Sequence, residues 1–436
     1  LMATKTLNHG NSERRPRPQL YIVDKKKKSR YQVHLKSLLV FLIVLALMII
    51  ERLFNGSYFD EVLGVISMGY LIVFNRKIKK YDLVTFALII VTLVIGLVSN
   101  WYSGLNVSLW SIGVDAVTQV KVIAAFFAVK YFLNDKEKQA TLDMFLPIGK
   151  LYCIAAFICS IITQFVDIGM TNDTRFGLNS FAFGYTYNFE YITTFLVFFA
   201  AFVCTDKLTP RQKGLYYFMT VVAIGLNLKS QALILTFMFV LLLFYFKRHD
   251  RLNPIVIIAI VCGILFLGQY QISTYLTHEG AARQVFNEYA VKTANNYFPF
   301  GSGFATYGSA EAAKNYSPLY TQYHFDKHWG MSRDFGPFLN DTHWASVLGQ
   351  FGWIGAILMG IVYIRIFVSF TNSKSIRFDL KAFLYATFAQ FVIHAIGSGI
   401  ITSSSGMLGF VAIALASQVE VDKDVSIRLP KIKISF

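Results

Sequence analysis

Between Tyr297 and Gly355 the chain sets aromatic rings beside hydrogen-bonding groups. Tyr307, Tyr316, Tyr320, Tyr323, Phe325, Trp329, Phe335 and Trp344 are interleaved with His324, Asp326, His328, Arg333, Asp341 and His343. Rings next to donors and acceptors suit sugars, which present apolar C–H faces and hydroxyl edges; they serve equally to anchor a cap at a membrane interface. Arg175, Lys229 and Arg283 offer a second chemistry. The arginine fork matches phosphate or diphosphate bidentately. Three such cations on one cavity would bind an anion, whereas each alone reads as a surface ion pair. Asp341 adds a third possibility, since a carboxylate can take a proton from an attacking hydroxyl or cap the helix expected to begin near Trp344.

Other candidate sites are weaker. Gly301-Ser-Gly-Phe-Ala-Thr-Tyr-Gly308 has glycines like a nucleotide loop, but no strand precedes it and the spacing is not G-x-G-x-x-G. A tight turn that lets backbone approach a partner fits better. Cys153, Cys159, Cys204 and Cys262 fall in or at the edge of apolar runs without C-x-x-C spacing, and read as small packing residues. No metal site is expected.

The elements that must position these groups follow from composition. Of 436 residues 55% are hydrophobic and only 15% charged, with a mean hydropathy of +0.49. A soluble chain carries about a quarter charged residues, so an integral membrane protein is expected, all-α in class. The net charge of +16 does not point to nucleic acid, because the bases sit in short blocks between apolar runs, as lysine and arginine do in cytosolic loops. A spanning helix needs about 20 mainly apolar residues. By that criterion about twelve are expected, near 37–54, 61–75, 82–99, 110–133, 142–166, 186–204, 214–228, 231–247, 254–273, 345–369, 381–397 and 401–418. The pair around Asn227-Leu-Lys-Ser-Gln231 is separated by little.

Charge orients the set. Residues 1–36 carry Arg14, Arg15, Arg17, Lys25 to Lys28 and Arg30 and no apolar core of a cleaved leader, so a cytosolic basic arm is expected. Arg76 to Lys80, Lys207 to Lys213, Lys247-Arg248, Lys374 to Lys381 and the tail 419–436 then all face the cytosol. The resulting organisation is an arm (1–36), nine spans (37–273), an external loop domain (274–344) forming a cap of short helices, three further spans (345–418) and a cytosolic tail. A loop of roughly 70 residues exceeds the length of a plain connector and marks function. Asp115 and Lys121 in one span and Lys150 in another are ionisable groups at membrane depth, which are costly and point to function unless paired.

Taken in order, these marks resemble the bacterial O-antigen ligase and polymerase superfamily, specifically its Wzy-type polysaccharide polymerases of capsule, exopolysaccharide and O-antigen pathways. The resemblance rests on the topology and on Arg175 with Gly177, Leu226-Asn-Leu-Lys-Ser-Gln-Ala-Leu233, Arg283, Pro299-Phe-Gly-Ser-Gly-Phe304, and Asn340-Asp-Thr-His-Trp344 leading into Leu348-Gly-Gln-Phe-Gly-Trp-Ile-Gly355. Many ligases have Ser-Arg at the helix tip where this chain has Lys229-Ser230, and His-Asn where it has Asp341 with His343 two residues on, which tilts the reading from ligase to polymerase.

The resemblance implies a metal-independent glycosyltransferase without cofactor, in the cytoplasmic membrane of a bacterium with both termini cytosolic. It would join undecaprenyl-diphosphate-linked oligosaccharide repeat units at the outer face, amid membrane lipids and alongside flippase and chain-length regulator proteins. Arg175, Arg283 and Lys229 would bind the diphosphate. Asp341, backed by His343 and Glu279, would be the base, and Tyr307, Trp329, Arg333 and Trp344 would contact sugar. The alternatives are a ligase transferring finished polymer to an acceptor and a non-enzymatic flippase; a carrier would place its charges at the midplane and keep its loops short.

Overall fold

The computed structural model describes residues 35–50, 58–73, 77–271, 281–371, 376–417 and 426–428. The arm through residue 34, most of the tail, and Glu279 lie outside the described residues.

Each of the twelve apolar stretches is helical. They are α1 (Leu35–Ile50), α2 (Phe59–Val73), α3 (Lys80–Ser103), α4 (Leu109–Phe132), α5 (Asp135–Ile162), α6 (Asn188–Cys204), α7 (Pro210–Gly225), α8 (Ser230–Phe246), α9 (Pro254–Gln271), α13 (His343–Thr371), α14 (Phe378–His394) and α15 (Ser404–Ala416). Between α9 and α13 lie α10 (Ala282–Asn296), α11 (Ala310–Lys314) and α12 (Pro318–Gln322). Among the described residues, α3, α4, α5 and α13 are long and apolar enough to cross a membrane, and α1, α6, α8, α9 and α15 are apolar but shorter. The architecture is that of a mostly helical protein compatible with multiple membrane passes. Large apolar side chains such as Trp110, Leu151, Phe266 and Ile364 stand exposed on its flanks, as suits a lipid-facing surface.

Local chemistry sets the ends. Asn134 and Glu137 form a capping box on α5, and Thr209 and Gln212 form another on α7, with Pro210 at its first position. Two helices occupy the centre: Tyr191 to Val203 of α6 and Ser405 to Ala416 of α15 are buried on every face, the signature of a helix wrapped by others. Around them α4 packs on α2 and α15, α13 on α3, and α14 on α8. Two deep lysines are paired, as low polarity demands. Lys121 Nζ lies 2.5 Å from both Asp60 and Glu61, and Lys130 Nζ lies 2.7 Å from Asp82. Lys121 is thus committed to α2.

An all-helical expectation is incomplete. Strands β2 (Thr171–Arg175) and β3 (Leu178–Phe181) form an antiparallel hairpin, and β1 (Lys77–Lys79) pairs with β4 (Ser426–Arg428). Arg175 therefore ends a strand, in the stretch ahead of the span expected from residue 186. The reason is the two-residue turn at Phe176 and Gly177, both at positive φ (53° and 76°), the geometry that matches the twist of paired strands.

The 297–308 turn joins the cap to the bundle. Helix α13 breaks at Gly352 (φ 62°, ψ −167°). The carbonyls of Gly349 and Gln350, left without helical partners, accept from the N–H groups of Ser302 and Gly303, each at 2.9 Å. Asn100 on α3 grips Phe304 through both backbone groups, at 2.8 and 2.9 Å. Asp115 accepts from Gln350 Nε2 at 2.8 Å and from Ala305 N. Asp115 thus secures the turn to the bundle.

Close approach explains the glycines. A Cβ on Gly303 (φ +94°) would lie 2.5 Å from the Asn100 nitrogen, while one on Gly69 in α2 meets nothing within 4 Å. Gly303→Ala is therefore expected to lower stability by roughly 2–4 kcal/mol, read as a lower thermal midpoint in detergent, while Gly69→Ala leaves the midpoint level or slightly higher.

Candidate functional site

The three basic residues singled out from the sequence converge. Arg175 from the hairpin, Lys229 from the α7–α8 tip and Arg283 from the first turn of α10 all line one cavity of about 590 Å³, together with Asp341. That volume lies within the roughly 300–1,000 Å³ of small-molecule sites.

Hydrogen bonds hold the contributing elements together. The hairpin is fastened to the helix tip where Phe181 N donates to Leu226 O at 2.9 Å, Ser180 Oγ to Asn227 O at 2.5 Å and Asn227 Nδ2 to Phe181 O at 2.7 Å. Asn227 Nδ2 also reaches Asn188 Oδ1 at 2.8 Å, adding the start of α6 to the same knot. Asp173 then bridges two cations, accepting from Arg175 Nε at 3.0 Å and Lys229 Nζ at 2.8 Å. Arg283 donates from Nε at 2.7 Å and from Nη2 at 2.5 Å to one oxygen of Asp341.

The two carboxylates are driven apart. Burial raises Asp173, but hydrogen bonds from Lys229 and Arg175 outweigh it and hold the group below the ordinary carboxylate value. Burial raises Asp341 too, and there it prevails over the opposing Arg283 guanidinium. Asp173 is a permanent counter-ion, while Asp341 is the better proton acceptor; opposed environments of this kind separate acid–base roles. The Asp341 carboxylate points to Arg283 rather than to the first turn of α13.

The backbone adds positive potential. Asn188 and Phe189 open α6, and Lys229 stands at the N-cap of α8; all three line the cavity. At neither helix does the N-cap side chain bond the opening N–H groups. Two helix N-termini, each with partial positive charge, therefore face the same space as the three cations.

The remaining candidates lie elsewhere. His343 is buried, its ring 3.2 Å from Tyr363 Oη, and is not among the lining residues. Tyr307 is fully buried, with its hydroxyl bonded to Phe286 O. It belongs to a second core with Phe286, Tyr320, Phe325, Met331 and Leu339. Trp329 is 75% exposed, Arg333 lies over the Tyr316 ring at 5.8 Å, and Trp344 Nε1 bonds Val392 O at 3.1 Å. None of these four sugar candidates lines the cavity. Most of the interleaved aromatics instead fill the interior of the cap, as the stacking of Tyr320 on Phe325 at 5.2 Å illustrates. The cavity has polar residues that sequence patterning passes over, chiefly Asn188, Gln231, Gln390 and His394. An uncharged amide inside an apolar run gives no periodic or charge signal, and His394 was hidden by its position in a span. Among the described residues no group of three His, Cys, Asp or Glu side chains is placed to hold a metal.

Compared with known proteins, the chain matches no family model and no curated sequence. The cavity itself defines a class of site: a cleft among helices with three cations, two helix N-termini and one carboxylate with a raised affinity for protons, chemically suited to an anionic phosphate ester. Arg175→Ala is accordingly expected to weaken pyrophosphate binding to the purified protein roughly tenfold to a hundredfold, the loss of a charge-assisted contact. Lysine at 175 should recover it only in part, because it lacks the planar fork; calorimetric titration provides the measurement.

Proposed function

We propose that the protein is a polysaccharide polymerase that joins undecaprenyl-diphosphate-linked oligosaccharide repeat units at the outer face of a bacterial cytoplasmic membrane. The observation that carries this reading is the meeting of Arg175, Lys229, Arg283 and Asp341 on one cavity, from four separate stretches of sequence. The reaction makes two demands, and this set meets both. A hydroxyl of one repeat unit attacks the anomeric carbon of a chain on a second carrier. The new glycosidic C–O bond forms, the bond from that carbon to the diphosphate oxygen breaks, and the hydroxyl proton passes to Asp341. The charge released onto undecaprenyl diphosphate is met by the three cations and the two helix ends.

The topology belongs to the same reading: twelve spans, both termini cytosolic and the 274–344 segment external. It is supported by the coincidence of every apolar stretch with a helix and by the pairing of Lys77–Lys79 with Ser426–Arg428, which gathers a basic loop and the tail at one end. A cysteine replacing the exposed Lys327 should react with an impermeant thiol reagent in intact cells. Reaction only after permeabilisation sinks the external placement.

Purified protein incubated with lipid-linked repeat units should produce a ladder of products on a gel. A single transferred product marks a ligase, and no covalent change marks a carrier. Asp341→Asn keeps the shape but cannot take a proton, so turnover should fall roughly a hundredfold or more while the protein still inserts. Because a base acts only when ionised, the wild-type rate should rise with pH as Asp341 ionises, at a pH that burial moves up from the ordinary carboxylate value. Normal polymer from Asp341→Asn with none from His343→Ala transfers the role to His343.

A further inference from the structure

Beyond the cations, the cavity wall holds polar groups that the fold leaves unmatched. Gln390, on α14, is 1% exposed, and neither its Nε2 nor its Oε1 has a hydrogen-bond partner within the protein. Gln231, the second residue of α8, is 6% exposed, and its Oε1 is likewise unpartnered. His394, the last residue of α14, has an unpartnered Nδ1. All three line the cavity that holds Arg175, Lys229 and Arg283, and they come from two helices packed directly on each other. On the same cavity Tyr187 and Phe189 stack at 5.4 Å with their planes 16° apart.

Buried polar groups are normally hydrogen-bonded, and an exception calls for a cause. An amide buried without a partner is destabilising, so two glutamines and a histidine in one wall are a disadvantage unless a ligand completes them. The ligand they fit is neutral and hydroxyl-rich. Each amide offers an acceptor oxygen and two donor hydrogens, and imidazole nitrogen either donates or accepts. A phosphate oxygen would prefer the cations, and an acyl chain would leave all these groups unmatched. Ring faces beside such groups are the complement of a pyranose, with its apolar face and polar edge.

We propose that Gln231, Gln390 and His394, with the Tyr187–Phe189 stack, form the subsite for the glycosyl residue attached directly to the diphosphate. The inference rests on the function proposed above and deepens it: the lipid-linked substrate is gripped by its first sugar on α8 and α14 as well as by its phosphates. Selectivity follows, since a site built to bond a hydroxyl rejects a ligand that lacks it.

The test uses the full-length protein in lipid nanodiscs with two probes. One is undecaprenyl diphosphate without sugar; the other is the glycolipid pool extracted from cells of the source strain with this gene deleted, in which unpolymerised units collect. Wild type should bind the glycolipid more tightly than the bare lipid. Gln390→Met, close in volume but unable to bond, should weaken glycolipid binding roughly tenfold to a hundredfold and leave the bare lipid unaffected. It should also raise the thermal midpoint of the ligand-free protein, because an unmatched amide leaves the interior. A residue with only a structural role would lower the midpoint. Gln231→Leu provides an independent variant with the same expectation. Equal weakening of both probes, no weakening of either, or a wild type indifferent to the sugar overturns the subsite and leaves the anion reading standing. A wild type that binds neither probe overturns both.

Discussion

The break in α13 at Gly352 is the constraint on which the rest of the molecule depends. A helix that stops and restarts inside an apolar bundle releases backbone carbonyls that no water can reach, and each must find a donor. Here the donors are Ser302 and Gly303, delivered by a turn that only glycine can make so close to another backbone. The turn is held in turn by Asn100 and Asp115. Cap and bundle are therefore joined by main-chain bonds, which are directional, rather than by apolar contact alone. Helix α10 packs on α13, so Arg283 takes its place from that junction, and Asp341 takes its own from the start of the same broken helix.

Around the cavity, charge is balanced locally. Three cations face two carboxylates, and the two carboxylates differ: Asp173 is shared by Arg175 and Lys229, while Asp341 answers Arg283 alone. Asp341 is the more deeply buried of the two and has one cation to oppose that burial, whereas Asp173 is nearer solvent and shares one oxygen between two cations. Depth and number of neighbours together separate two chemically identical side chains into a counter-ion and a group able to exchange a proton.

The helices were legible in the sequence because their signal is additive: some twenty apolar residues are read as a block, and errors in single positions do not matter. Lys121 was legible as an exception, though not its partners, since Asp60 and Glu61 lie in another helix. The hairpin at Thr171–Phe181 was not legible, because its strands are short and its turn depends on Phe176 accepting a positive φ that a bulky residue seldom takes. Arg175, Lys229, Arg283 and Asp341 could be picked out by type, but their meeting depends on the knot of Asn188, Ser180 and Asn227, which has no sequence pattern. The aromatics are ambiguous for a physical reason: rings that pack the inside of a cap and rings left open to a cavity have the same composition, and burial distinguishes Tyr307 from Tyr187.

The carboxylate of Asp173 has one more consequence. Since it already occupies both Arg175 and Lys229, an incoming anion does not meet bare cations; it replaces a tethered anion that stays nearby. Its net affinity is the difference between two similar contacts, so the site is reversible by construction. Under the function proposed above, a cluster of unopposed cations would hold a spent diphosphate tightly and stall; with Asp173 placed to reoccupy them, departure would be assisted from within the chain.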